Sequence, residues 1–458
     1  MGNRRNFLTT GIALSSGVAL SAIDMACRKV IPAENDKKQR KSIKTNVLVV
    51  GGGPAGIGAA VGAAKRGVET LLIEDYGFFG GIASQSIGMC INQMRPNGEP
   101  RGYIHELLFE KLRRYGDQAV RASTHQFYVN VEYLKVAIMD ALEEVNCKYL
   151  VHLKAIDTIT DGKQVKGVVV STKSGLMEIY ADVVVDCTGD ADITCFSGAP
   201  TLTETGSLSP QTLLLNISNI DRYSSADMRD VAGQAMANNE FSLIPGGWGL
   251  AKVSNCHHYV INHSGTKEMG NFDITDPFQF SEAECKSRRQ VIQMTEAMRN
   301  YGGGELKNCE IVGASTQIGI RESRRIKGGY ILTEEDALEG RKFDDVIAWR
   351  SGWLDVGFTM LSQMKIHQVP YRSLVPEGID GLLAAGRCIS ATHVGASSGK
   401  SMGNCIATGH AAGVAAALAS KTGIQPREID VTKIQEILAS DGVDLTKGGE
   451  SQHSDMAN

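Results

Sequence analysis

Apolar residues fall in short blocks whose spacing predicts the elements. Val47 to Val50 is an apolar, largely β-branched run bounded by glycines, suited to a strand buried on both faces. Ala55 to Arg66 is rich in alanine with no interior proline and predicts a helix; Thr70 to Ile73 is a second apolar run that ends in Glu74. Ile104, Leu107, Leu108 and Leu112, then Leu134, Ile138 and Leu142, recur at helical spacing and predict helices over 103–115 and 131–145. Tyr149 to Val151, Ala155 to Ile159, Val165 to Val170 and Leu176 to Val185 predict short strands, with Asp161-Gly162 and Ser174-Gly175 as turns. Helices alternating with strands place this region in the α/β class.

Between residue 205 and about residue 365 the rhythm breaks. Gly302-Gly303-Gly304 and Asn255-Cys256-His257-His258 interrupt any simple strand–helix alternation, which predicts an inserted α+β substrate or cap domain. From Val369 the first pattern returns. Gly381 to Arg387 predicts a strand and turn, Ile406 to Leu418 an Ala/Gly-rich helix built for close packing, and Val431 to Leu438 a last short helix. The expected division is a leader over 1–30, a linker over 31–44, the cofactor domain over 45–204 and 369–424, the cap over 205–368, and a terminal helix and tail over 425–458.

Gly51, Gly53 and Gly56 set the spacing G-x-G-x-x-G between the first strand and helix, and Glu74 follows at the distance a dinucleotide-binding βαβ unit requires. Gly51 permits the tight turn, Gly53 lets backbone approach a pyrophosphate, and Gly56 brings helix close to strand. The helix N-terminus then faces the phosphates with free N–H groups, and Glu74 accepts hydrogen bonds from a ribose. The loop over Asp75 to Ser84 carries Gly77, Gly80 and Gly81, and Asp186-Cys187-Thr188-Gly189-Asp190 ends another strand in a glycine turn and an acid.

Charge and cysteine content narrow the choices. A net charge of −4, with charged residues dispersed over 458 positions, gives no footprint for nucleic acid. Ten cysteines without a C-x-x-C pair point to neither structural zinc nor a disulfide scaffold. Cys256, His257, His258 and His263 match no standard zinc spacing, so no metal site is assigned. Arg4-Arg5 followed by Phe7-Leu8 and the weakly apolar stretch Gly11 to Ile23 predicts a twin-arginine export signal and a periplasmic location. A basic N-terminal tail is the alternative. Cys27 follows Ala26, but Asp24 stands where a lipoprotein signal carries an aliphatic residue. Pro32 to Ser42 is polar and charged and predicts a linker.

Four blocks, GGGPAGIGAA at 51–60, VVDCTGDADI at 184–193, GIRESRRIKGGYILTEED at 319–336 and LLAAGRCISATHV with CIATGHAAGVAAALA across 382–419, carry a resemblance to a family. The chain after the linker resembles the exported bacterial FAD-dependent oxidoreductases, within the glutathione-reductase-like and fumarate-reductase-like flavoprotein class. The resemblance implies a Rossmann-like FAD-binding domain with an inserted α+β cap. It also implies that Gly51, Gly53, Pro54, Ala55, Gly56, Glu74, Gly81, Ala83, Ala155, Gly189, Asp190, Gly386, Arg387, Gly403 and Asn404 hold FAD. Asn404 is expected to open the helix that faces the flavin. The loop at 77–90 contains no histidine, so the flavin is expected to be non-covalent. Where related exported sequences carry arginine after the position of His393, this chain has Lys400, a point charge without a planar fork.

The implied activity is hydride transfer between FAD and a small organic substrate such as a carbohydrate, polyol or carboxylic acid, with an unidentified electron acceptor or donor. An exported flavin-binding electron carrier is the alternative; use of NAD alone sits poorly with the block at 382–419. Arg321 and Arg324, with Glu322 and Arg325, read either as a clamp for an anionic substrate or as a solvated face. His393 reads equally as the general acid or base and as a hydrogen-bonded structural histidine.

Overall fold

The computed structural model describes residues 40–88, 90–123, 126–204, 208–253, 257–356 and 360–451. The predicted export signal, Cys27 and most of the linker lie outside them. From Lys41 onward the described residues form one compact unit. Its first half supplies β1 (Lys41–Val50), α1 (Pro54–Ala64), β2 (Thr70–Ile73), α2 (Tyr103–Arg113), α3 (Val131–Glu144), β3 (Lys148–Leu150), β4 (Lys154–Asp161), β5 (Gln164–Thr172) and β6 (Gly175–Asp186). The middle supplies β7 (Leu215–Ser218), α4 (Ser225–Ala237), β8 (Trp248–Lys252), β9 (Tyr259–His263), α5 (Pro277–Tyr301) and β10 (Glu310–Ala314). The last part returns with β11 (Leu382–Ala384), α6 (Met402–Thr422) and α7 (Val431–Ser440).

The main sheet runs β3–β2–β1–β6 in parallel, and the far edge of β6 is shared. Gly175 to Tyr180 pair antiparallel with β5, whereas Val184 to Asp186 pair parallel with β11. The early strands therefore need the C-terminal return to complete the sheet. Alternate residues point to opposite faces. Val47, Val49, Val183 and Val185 meet the helices, and Leu48, Val50 and Val184 meet the apolar side chains of β5. β1 begins at Lys41 rather than after the expected linker, because β6 is long enough to offer pairing partners to Lys41 to Lys44 although all four are exposed.

α1 and α6 pack backbone to backbone. A Cβ on Gly58 would lie 2.4 Å from the Ile406 carbonyl oxygen, and one on Gly409 or Gly413 would lie 2.0 or 2.1 Å from those of Ala55 and Ala59. Any larger residue at these positions forces the helices apart.

The insertion forms an antiparallel sheet in the order β8–β9–β7–β10, covered by α4 and α5 around a separate apolar core. That core ends at Ile318, well before the expected boundary at 368. Arg325–Ile326 pairs with Thr201–Leu202, and Val346–Arg350 pairs with His367–Pro370. Leu332, Ile347, Ala348 and Val369 join the core of the first domain. A short apolar strand carries the same period whichever sheet it enters, so the sequence could not place this boundary.

Candidate active site

A cleft of about 640 Å³ opens where α1, the C-terminal ends of β1, β2 and β6, the cap and the segment before α6 converge. Gly51 makes the turn at its floor with φ of 98°, and a Cβ there would press on the Cys187 carbonyl oxygen at 2.6 Å. Gly53 precedes α1 with an ordinary φ of −70°, and nothing lies within 4.0 Å of an added Cβ except the Gly81 Cα at that limit. The first turn of α1 has no acidic residue and no side-chain cap. Its N–H groups and the positive end of its dipole are therefore free for an anionic ligand. Gly56 lies out of the cleft, where a Cβ would be 1.8 Å from the Gly51 carbonyl oxygen, in the close packing expected of it.

Glu74 is buried at the cleft edge. It accepts from the Gly52 N–H at 2.6 Å and the Tyr76 N–H at 3.0 Å, while burial pushes its carboxyl above the usual range against the pull of those two bonds. A carboxylate has about four acceptor positions, so room is left for a further donor.

Gly51, Gly53, Pro54, Ala55, Glu74, Gly81, Ala155, Gly189, Asp190 and Arg387 all line the cleft, as do Arg321 and Arg324. Ala83, Gly386, Gly403 and Asn404 do not line it. Gly386 packs on Ala55, with its N–H held by Thr408 Oγ1 at 3.1 Å, and Gly403 lies against the Gln93 carbonyl. α6 starts at Met402 rather than Asn404. The buried Asn404 amide donates to the carbonyls of Ser351 and Ser398 at 2.9 and 3.1 Å. These small or polar residues fix the wall from behind.

The charged cluster at 321–325 divides. Arg325 is buried between Glu204 and Glu322, 2.6 Å from each, and donates to the Ala391 carbonyl. Arg324 donates to Asp192, to the Asp190 carbonyl at 3.1 Å and to Cys195 Sγ. Its guanidinium thus ties the segment that follows the cap to the turn after β6. Asp192 is pushed up to about 6 by burial and its acidic neighbours, against the pull of Arg324. Arg387 pairs with Asp190 at 2.8 Å. The expected substrate clamp at Arg324 is therefore corrected to a structural tie.

His393 does not line the cleft. It lies in an adjoining crevice of about 10 Å³ that shares Arg321, Arg387, Ser397 and Lys400 with the cleft, with Nδ1 2.6 Å from Glu322 Oε1, which favours the structural one of its two readings. Burial pushes the Glu322 carboxyl up, but His393, Arg325 and the Ser209 N–H together bring it below the usual range. His367 and Tyr371 are buried as well, held by Ser398 and by the Pro426 carbonyl.

Arg321 does face the cleft, and it brings a partner that no local pattern announces. Its Nη1 donates to Asp355 Oδ2 at 3.3 Å, and Lys400 Nζ reaches the same oxygen at 3.3 Å. Burial, then the nearby Arg321, lower the Lys400 ammonium to about 8, with Asp355 opposing. The departure at Lys400 was visible in sequence. Asp355 was not, because it meets Lys400 only through the fold. Of the histidines and cysteine considered as metal ligands, Cys256 lies outside the described residues. His257 is exposed near Asp221, and His263 is buried against the Leu213 carbonyl.

A parallel sheet carrying a glycine turn, a bare helix N-terminus and a distant closing helix defines a nucleotide-cofactor α/β protein. The chain belongs to the FAD dependent oxidoreductase family, whose model matches residues 46–438; it is an FAD-dependent oxidoreductase. Thiamine thiazole synthase of Methanococcus vannielii is 29% identical over 185 residues, 38% of this chain and 67% of that protein. A 4-oxocyclohex-2-ene-1-carboxylate 5-dehydrogenase of Sinomonas cyclohexanicum is 44% identical over 55 residues, 12% of this chain and 9% of that protein. A geranylgeranyl bacteriochlorophyll reductase-like protein of Thermoplasma acidophilum aligns with a TM-score of 0.45 at 14% identity, over 87% of this chain and 84% of that one.

Proposed function

We propose that this chain moves a hydride between non-covalently held FAD and a small oxygen-rich substrate, a carbohydrate, polyol or carboxylic acid. The observation that carries this reading is the Arg321–Asp355–Lys400 cluster, which lines the same cleft as the glycine turn. When bound, FAD supplies two-electron redox chemistry. The open space beside Gly53 and the uncapped N–H groups of α1 suit its pyrophosphate, and Glu74 suits a ribose hydroxyl. Arg321 binds and orients an anionic or hydroxyl-bearing group of the substrate. Lys400 Nζ, lowered to about 8, takes the proton released as the substrate is oxidised. Arg387, Asp190 and Arg324 brace the wall beside the cofactor.

The test is anaerobic reduction of the bound flavin by a panel of sugars, polyols and organic acids. Bleaching by one class, lost in Arg321→Ala with FAD content intact, is the expected result. No bleaching by any class sinks the substrate assignment.

We further propose that the protein is of the exported group and the glutathione-reductase-like and fumarate-reductase-like class. Export would carry it through the twin-arginine machinery to the periplasm, without a lipid anchor at Cys27, to exchange electrons there with a separate acceptor or donor. The Arg4-Arg5 pair and the apolar stretch after it support this. Periplasmic delivery should stop when both arginines become lysine; undiminished delivery refutes it.

A further inference from the structure

Behind one wall of the cleft, out of its lining, lies positive charge that the protein leaves uncompensated. Arg101 and Arg350 are 3% and 2% exposed, and among the described residues neither has a carboxylate within 4.0 Å. Arg101 donates to the Gln93 carbonyl at 2.9 Å and to the Trp349 carbonyl, and its guanidinium lies 4.3 Å from the Trp349 ring centre. Among the described residues Arg350 reaches only Ser398 Oγ at 3.4 Å, and its Nε has no partner. It lies across Gly399, where an added Cβ would sit 1.9 Å from Cζ. The nearby groups offer no counter-charge. Burial lowers His105 and His367 to about 3 and raises the Cys405 thiol to about 11, so all three are neutral at pH 7.

Gln93 joins this pair to the cleft it lines. It is 1% exposed and holds a left-handed backbone, φ 64°, which costs a side-chain-bearing residue energy that the surroundings must supply. Its Oε1 accepts from Ser351, while its Nε2 donor is buried without a partner. A buried guanidinium pair without an anion and an orphaned amide donor are each unfavourable until something electron-rich meets them.

We infer that Arg101 and Arg350, directly behind the part of the cleft lined by Gln93 and Ser398, make this an electropositive wall whose counter-charge is the negative charge FAD gains on reduction. This rests on the hydride-transfer reading. The substrate C–H bond breaks with its electron pair, and the new bond to hydrogen forms on FAD. FAD, reduced by two electrons and carrying one proton, is left with one negative charge. The substrate, oxidised by two electrons, gives up a proton to Lys400. The wall is already charged and immobile, so it favours the reduced state without reorganising. It therefore makes reduced FAD bind more tightly than oxidised FAD.

The test reads the midpoint potential of FAD-loaded protein by reductive titration against a reference dye. At an effective dielectric of about 20, removing one unit charge about 10 Å away changes an equilibrium on the order of tenfold. For two electrons that is about 30 mV. Arg101→Met and Arg350→Met should each lower the potential by about that much with FAD content unchanged. Arg350→Lys should restore most of it, and Gln93→Leu should lower it by less. Unchanged potentials in FAD-replete Met variants overturn the inference. If the Met variants fail to fold, the wild-type protein decides. Bound FAD should be easier to reduce than free FAD in the same buffer, and a lower potential for the bound form refutes the wall. Protein that holds no FAD fails the cofactor reading instead, and the FAD content shows which has failed.

Discussion

Lys400 offers a perturbation whose effects on stability and on turnover have opposite signs. A lysine that titrates at 10.5 when free and at about 8 in the folded protein is buried at a cost while protonated. The gap, 10.5 − 8 = 2.5, at 1.36 kcal/mol per pH unit, corresponds to about 3 kcal/mol. Asp355 already contributes to that value, so its attraction needs no separate allowance. Because the folded pKa is the lower one, the unfolded chain binds more protons between about pH 8 and 10.5, and stability rises with pH across that window. Below pH 8 the full penalty is present.

Lys400→Met removes the charge while keeping a long apolar stem. At pH 7 the FAD-loaded variant should therefore be more stable than the parent by up to about 3 kcal/mol. Its stability should also lack the parent's rise above pH 8. Denaturant titrations of both proteins at several pH values measure this. The same variant should reduce its flavin with substrate about 10²–10⁴-fold more slowly, if Nζ carries the proton. A variant that is no more stable at pH 7, with a pH profile parallel to the parent's, would refute the placement of a strained ammonium in the cleft.

Gly53→Val should abolish FAD binding while leaving the apoprotein folded, since φ of −70° suits valine and the branched side chain projects into the cleft; spectroscopy of the purified protein and a melt check this. Gly413→Val should cost at least the roughly 1–3 kcal/mol of an overpacked core, and more if the Ala59 carbonyl cannot move; a melt measures it. His393→Ala should keep its FAD and lose less than the roughly 10²-fold in flavin reduction that loss of a general acid or base costs; a larger fall returns His393 to the catalytic set. For substrate oxidation, kcat/KM should rise with pH through about 8 and then level, and a flat profile removes Lys400 as the base.

The cofactor half was legible because its physics is local. Val47 to Val50, the glycines after it and Glu74 are constrained by contacts within one βαβ unit, and the Gly/Ala character of α6 follows from its backbone contact with α1. Proximity to a motif, by contrast, does not set where a side chain points. His393 stands in the closing block yet turns to Glu322, and Arg324 neighbours Arg321 yet turns to Asp192. Arg101 and Arg350 meet only after the chain has left and re-entered the first domain, and Asp355 and Lys400 meet across 45 positions of the returning segment. No window of sequence contains both members of either pair.

The direct packing of α1 on α6 also sets a schedule for biosynthesis. The glycine turn leaves the ribosome long before the helix that backs it, with the whole cap between them. Until then the apolar face of α1 and the edge of β6 reserved for β11 stay uncovered. Contacts this distant along the chain are slow to form and leave intermediates exposed to aggregation. FAD loading is therefore expected to wait until α6 has been made, and a nascent chain halted in the cap is expected to need a chaperone on the half already made.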